Sequence, residues 1–155
     1  MPDFSDLGDL YQEIIMDHRR SPRNQGLPAG HDHYADGFNP FCGDKVSVGL
    51  KVEDGIIVDV GFEAEGCAIS IASASLMTES VMGRPLGEAI KIFRAFRELL
   101  TNTDGTAGVD DPNDLGDLEA LAGVKAYPTR IKCAILSWHT LKAAIDRKAE
   151  PVSTE

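Results

Sequence analysis

Three cysteines and one aspartate are the residues of this chain best suited to act together. Cys42 lies in Asn39-Pro40-Phe41-Cys42-Gly43-Asp44, Cys67 follows Gly66 and precedes Ala68-Ile69-Ser70, and Cys133 closes Arg130-Ile131-Lys132-Cys133. Three thiols and the carboxylate of Asp44 form a four-donor set of the kind zinc takes at tetrahedral geometry, and equally a cradle for sulfur chemistry. Cys42 and Asp44 share a loop that Pro40 and Gly43 keep tight. Cys67 is expected at the start of one helix and Cys133 in the first turns of another, where unpaired N–H groups and the helix dipole favour a thiolate. Spacing alone leaves a second reading open, because no CxxC pair is present and free cysteines often simply pack in a core.

The elements that must position these groups follow from hydrophobic periodicity. Ser5 or Asp6 caps a first helix whose face carries Leu7, Leu10, Tyr11, Ile14, Ile15 and His18, and Ser21-Pro22 stops it. His18 reads as a residue of the helix face. A polar loop is expected from there to about Phe38. Val46, Val48, Leu50 and Val52 alternate as a half-buried strand, and Ile56, Val58, Val60 and Phe62 as another. A two-residue turn at Asp54-Gly55 would pair Val52 with Ile57 and put the two apolar sets on opposite faces. A three-residue loop, Glu53 to Gly55, pairs Val52 with Ile56 instead and is the expected connection.

Helices are predicted over Ala68 to Met82, stopped by Gly83, and from Pro85 with Leu86, Ala89, Ile90, Phe93, Phe96 and Leu99 on one face and Arg94 and Arg97 solvated. The small residues of the first suggest close packing. Thr101 to Asp114 reads as a Gly/Asp/Thr-rich loop and Leu115 to Leu121 as a short helix. Pro128-Thr129 opens a last helix with Ile131, Ala134, Ile135, Trp138, Leu141 and Ile145. The tail from Glu150 is expected to fray. The order of elements predicts one α+β domain over residues 1–155, a small antiparallel sheet packed with helices.

Composition narrows the function. The net charge of −10 opposes binding to a phosphate backbone, so no nucleic-acid partner is expected. No apolar run is long enough to span a bilayer, and the N-terminus has no signal-like apolar region, so a cytoplasmic location and no membrane contact are expected. An odd number of cysteines argues against a pure disulfide framework and for metal binding or catalysis.

The local sequences around the cysteines then resemble a known family. Asn39-Pro40-Phe41-Cys42-Gly43-Asp44, Glu65-Gly66-Cys67-Ala68-Ile69-Ser70 with Ala72-Ser73-Ala74-Ser75, and Arg130-Ile131-Lys132-Cys133 are similar, in order, to the three cysteine motifs of the IscU/NifU-N family of iron–sulfur assembly proteins. Leu10-Tyr11, His18 and Pro22-Arg23-Asn24 resemble that family's N-terminal helix and its exit, and the likeness runs from about Leu7 to Lys148. IscU-type members carry a histidine directly before the third cysteine, where this chain has Lys132, and are shorter between Gly83 and Arg130. Both departures resemble the SufU branch.

That resemblance implies a zinc ion held by Cys42, Asp44, Cys67 and Cys133, with iron or an iron–sulfur cluster as the alternative cofactor. It implies a PLP-containing cysteine desulfurase of the SufS type as partner, with downstream iron–sulfur assembly proteins beyond it. Cys42 would be the catalytic residue, a loop thiol that leaves the metal and accepts persulfide sulfur while the other three donors stay. Lys132 reads as a surface charge, because an ammonium has no lone pair for a metal. The expected function is a zinc-dependent sulfurtransferase. The alternatives are a cluster assembly scaffold built from the same ligands and a structural zinc module, against which the carboxylate ligand and the missing CxxC pairs argue. A hydrolytic zinc enzyme is disfavoured by the absence of HExxH.

Overall fold

The computed structural model describes residues 13–40, 43–101, 118, 121, 124, 127–147 and 152–153. The amphipathic run before Ser21-Pro22 forms helix α1, described over 13–20. Its proposed caps, Ser5 and Asp6, and its first apolar residues lie outside the described residues. His18 faces inward and is buried; its Nδ1 lies 2.7 Å from Ser75 Oγ.

The expected polar loop is instead interrupted by a strand, β1 (His33–Asn39). Burial alternates along it, but His33, Ala35, Gly37 and Asn39 point inward while Tyr34 and Phe38 are exposed. The inward set is small or polar because the C-terminal helix, α4 (Pro128–Ile145), lies close: a Cβ on Gly37 would strike the Thr140 hydroxyl. Strand β2 (Asp44–Glu53) pairs antiparallel with β1, and β3 (Ile56–Glu65) pairs antiparallel with β2.

The hairpin between β2 and β3 corrects the predicted three-residue loop. Val52 pairs with Ile57 and Glu53 with Ile56, leaving a two-residue turn in which Asp54 and Gly55 take φ of 53° and 77°. Both positive angles suit the strand twist, and glycine adopts one at little cost. The face mismatch that such a turn creates is undone one step later. The register shifts between Lys51 and Val52, so Val58 is an extra residue in β3, a bulge. Beyond it Leu50 faces Val60 and Val48 faces Phe62, all buried, while Ile56 and Val58 are left exposed.

Helix α2 (Ala68–Val81) is buried on nearly every side, from Ser70 to Val81. Its alanines and serines permit the close approach expected of them: Ser73 Oγ donates to the Ala134 carbonyl at 2.5 Å. Helix α3 (Leu86–Thr101) buries Ala89, Ile92, Phe93, Phe96 and Leu100. The apolar stripe is thus turned toward Ile92 and Leu100, with Leu86, Ile90 and Leu99 only partly covered. Arg94 and Arg97 are exposed, as expected. Helix α4 (Pro128–Ile145) begins at the predicted proline and packs Trp138 against Phe96 and Phe93, with ring centroids 5.2 Å and 6.4 Å apart. Between α3 and α4 the described residues are Leu118, Leu121, Val124 and Tyr127; the first three are buried, and the predicted loop to Asp114 lies outside the described residues after Thr101.

Strand β4 (Val152–Ser153) pairs parallel with Gly37 and Phe38 of β1, where a frayed tail was expected. The sheet order is β3-β2-β1-β4, with α4 against β1 and β2 and α2 against β3. The outer edge of β3 is also occupied. Gly26 N–H donates to the Phe62 carbonyl and Phe62 N–H to that of Asn24, while Gly83 N–H donates to the Ile57 carbonyl and Ile57 N–H to that of Arg84. The architecture is α+β, three antiparallel strands with a short parallel addition, packed with helices. No helix among the described residues is long and apolar enough to cross a membrane.

Candidate metal centre

Three elements deliver donor groups to one point. Asp44 is the first residue of β2, Cys67 is the residue from which α2 starts, and Cys133 lies between the first and second turns of α4. One donor atom from each lies within 4.8 Å of the others. Asp44 and Cys133 are fully buried, and Cys67 is half-buried. Cys67 Sγ stands 3.9 Å from Asp44 Oδ2.

Local backbone chemistry explains how Asp44 is held. Cys67 caps α2 with extended backbone and without a side-chain hydrogen bond, so its own N–H and those of the first turn need other partners. Asp44 Oδ1 accepts the Cys67 N–H at 2.9 Å. A carboxylate at a helix start is also favoured by the helix dipole. Gly66 makes this contact possible: its φ is 146°, and a Cβ there would fall on the Asp44 carboxylate.

The second oxygen, Asp44 Oδ2, lies 3.4 Å from the side-chain nitrogen of Asn39, the last residue of β1. The same nitrogen is 3.6 Å from Cys133 Sγ. Cys133 Sγ also lies 3.7 Å from the Thr129 carbonyl one turn back. Arg130 adds charge from α4. Negative charge on Cys67 first, and on Cys133 next, would raise the pKa of its guanidinium above the ordinary arginine value. A cavity of about 570 Å³ opens beside Cys67, lined by Ala68, Ile69, Tyr127, Thr129 and Arg130. Tyr127 is 63% exposed at its rim. A larger cavity of about 690 Å³ lies between Gln25, Lys45 and Glu65, and among the described residues no cysteine or histidine lines it.

The donor set fits zinc. Tetrahedral ligands at zinc–sulfur and zinc–oxygen distances stand roughly 3.5–3.8 Å from one another. Cys67 Sγ and Asp44 Oδ2 stand 3.9 Å apart and all three donors within 4.8 Å, so side-chain shifts of about 1 Å or less bring the three to the spacing of one ion. A single hard oxygen among soft sulfurs also suits a site whose ligands exchange.

Of the four residues expected at the centre, the structure brings Asp44, Cys67 and Cys133 together; Cys42 lies outside the described residues. Lys132 is half-buried beside Cys133. His18 is not part of the group: its Nε2 lies 3.5 Å from Glu79 Oε1, and with Ser75 it ties α1 to α2. Sequence reasoning assigned no role to Asn39, Gly66 or Arg130. All three stand inside the quoted cysteine motifs, the one signal available for them.

Comparison with known proteins agrees with the likeness in the motifs. Residues 10–134 match the model of the NifU-like N terminal domain. The chain is 40% identical over 144 residues to the zinc-dependent sulfurtransferase SufU of Bacillus subtilis (strain 168), covering 93% of this chain and 95% of that protein. It is 38% identical over 145 residues to the iron–sulfur cluster assembly scaffold protein IscU of Streptococcus pyogenes serotype M1, covering 94% and 88%. The crystal structure of FiSufU from Fervidobacterium Islandicum AW-1 superposes with a TM-score of 0.78 at 34% identity, covering 86% of this chain and 94% of that one. Motifs, fold and similarity over nearly the whole chain lead to one conclusion: this protein belongs to the NifU-like N-terminal domain family, to which SufU and IscU are related.

Proposed function

We propose that this protein is a zinc-dependent sulfurtransferase of iron–sulfur cluster assembly, with Cys42, Asp44, Cys67 and Cys133 as zinc ligands and Cys42 as the acceptor thiol. The observation that carries the reading is the convergence of Asp44, Cys67 and Cys133 within 4.8 Å, Asp44 standing two residues after Cys42 in the sequence. The similarity to SufU and the lysine at position 132 support it. Bound zinc would supply one thing, the stabilisation of thiolates at neutral pH.

The chemistry belongs to the side chains. A desulfurase of the SufS type, which uses PLP, presents a persulfide. The Cys42 thiolate attacks its outer sulfur; a new S–S bond forms on Cys42, the donor's S–S bond breaks, and the electron pair leaves on the donor's cysteine sulfur. Asp44, Cys67 and Cys133 sit on the ends of β2, α2 and α4, which keep them in place, and Arg130 offsets the negative charge of two thiolates. The cavity beside Cys67 gives the donor a way in. The sulfur then passes to iron–sulfur assembly proteins, in the cytoplasm, where thiols stay reduced.

The second reading, a scaffold that carries a nascent cluster, rests on the 38% identity to the IscU scaffold protein and on the ability of thiolates to hold iron–sulfur clusters. One experiment separates the two. The protein is purified, its zinc and iron are measured, and desulfurase turnover is assayed with and without it. About one zinc per chain and strong stimulation, lost in Cys42→Ala and altered in Asp44→Ala, is the expected result. A brown protein with a visible-absorbing cluster and little stimulation replaces the sulfurtransferase reading with the scaffold. Zinc content, affinity and transfer rate all unchanged in Asp44→Ala remove Asp44 from the ligand set.

A further inference from the structure

Asn39 is fully buried, and so are the two groups its side chain meets, Asp44 and Cys133. Its backbone already has work: Asn39 pairs with Asp44 across β1 and β2, and its carbonyl accepts the Gly43 N–H at 2.9 Å, closing the connection between the strands. Any residue could do that with its carbonyl. The side chain does something separate. Its nitrogen reaches Asp44 Oδ2 at 3.4 Å and Cys133 Sγ at 3.6 Å, bridging a carboxylate on β2 and a thiol that is 94 residues away on α4. Both neighbours accept hydrogen bonds when ionised, and an amide NH₂ has two protons to give them. The separation to oxygen is beyond the roughly 2.7–3.2 Å of a usual N–H···O bond, so that contact is a weak one as it stands, while sulfur, a larger atom, is reached at 3.6 Å.

We propose that Asn39 is a positioning residue of the metal centre, whose amide donates one N–H to the Asp44 carboxylate and the other to the Cys133 thiolate and so sets the distance and electron-donating power of both ligands. The inference rests on the reading of Asp44 and Cys133 as ligands. Groups that hold a metal's ligands from outside commonly matter to affinity by roughly 10–100-fold. Here the amide has a second effect. A thiolate that accepts a hydrogen bond gives less electron density to its metal, as hydrogen bonds to sulfur do in iron–sulfur proteins. Asn39→Leu, close in size, would supply neither contribution, having no side-chain N–H to donate.

The test uses the full chain loaded with cobalt(II), a coloured substitute for zinc. Asn39→Ala removes the amide and keeps the backbone; Asn39→Leu keeps the size and removes the donors without adding charge. Both are expected to bind cobalt roughly 10–100-fold more weakly in competition with a chelator. In Asn39→Ala the sulfur-to-cobalt charge-transfer band is expected to move to lower energy. A loss of affinity without a band shift, accompanied by a lower melting temperature of the metal-free protein, makes Asn39 merely structural and overturns the proposal. So does affinity within about twofold of wild type, since a ligand-positioning group is worth roughly tenfold or more.

The wild-type chain provides a test that needs no variant to fold. Loaded with a spin-active cadmium isotope, it is expected to show scalar coupling from the Asn39 side-chain protons to the metal across the N–H···S bond. No coupling to those protons overturns the proposal. Asp44→Ala and Cys133→Ser are measured in parallel. If they too leave affinity untouched, the ligand assignment has failed; if they lose it while the Asn39 variants do not, only the role of Asn39 has.

Discussion

The backbone N–H of Cys67 is bound to the Asp44 carboxylate at 2.9 Å, so the start of α2 and the start of β2 meet at the atoms proposed to hold metal. Gly66 sits between them in a conformation that L side chains rarely adopt, with no room for a Cβ beside that carboxylate. Gly66→Ala is therefore expected to strain the backbone by about 1–3 kcal/mol and push Asp44 out of place. Zinc affinity measured against a chelator should fall more steeply than the melting temperature of the metal-free protein. Unchanged affinity in a folded Gly66→Ala protein would show that the close approach is incidental.

The aromatic cluster of α3 and α4 makes a separate prediction about stability. Phe96 is fully buried against Trp138 at a centroid distance of 5.2 Å. Phe96→Ala is expected to cost about 3–5 kcal/mol, the loss of transfer energy together with the cavity left behind. In a chain of this size that lowers the melting temperature by on the order of 10 °C. Denaturant unfolding checks it, and a cost below about 1 kcal/mol would mean that the cluster collapses to fill the gap.

His139 couples the same helix pair to pH. Its ring meets Phe93 edge-on at 5.3 Å. Burial first, and then the Arg97 and Lys142 cations, hold its pKa below the ordinary 6.5. The unfolded chain thus binds a proton at a pH where the folded chain does not. The stability contributed by the neutral ring is complete above 6.5 and declines as pH falls from 6.5 toward the folded value. His139→Gln is expected to flatten the fall of melting temperature over that window and to change little above it. An identical pH profile in wild type and variant would assign the acid sensitivity to other groups.

What the sequence made legible, and what it did not, has a physical pattern. β2, α3 and α4, and β3 beyond its bulge, were readable because their apolar residues face the core at the period of their own geometry, whereas α2, buried on nearly every side, was readable from its small residues and the stop at Gly83. β1 was not, because its period-two pattern is inverted in hydropathy: the large apolar residues Tyr34 and Phe38 face outward, and His33, Ala35, Gly37 and Asn39 fill the narrow space under α4. The hairpin loop was misread for a related reason. The requirement that Val52 and its neighbours share a face with β3 was correct in substance, but a bulge at Val58 met it and the turn did not. A bulge leaves no local mark in sequence when the extra residue is a valine.

The centre shows the same division. Asp44, Cys67 and Cys133 were visible by residue type and by the motifs around them, and these folded elements bring them together. Asn39 and Arg130 were not, since a donor role depends on where a side chain points. Nothing in the order of residues says that Asn39 meets Cys133 across 94 positions.

The occupied sheet edges have a consequence for recognition. Segments 24–26 and 83–84 bond to β3 at Phe62 and Ile57, and β4 bonds to β1 at Gly37 and Phe38. At those positions the main chain has no free ladder to offer a visiting strand. A partner therefore cannot be recruited there by extending the sheet, a mode that reads backbone and tolerates many sequences. In the proposed sulfur transfer, a donor would then be selected by side chains exposed near Cys67, such as Tyr127, so that fidelity would rest on a surface able to discriminate between donors.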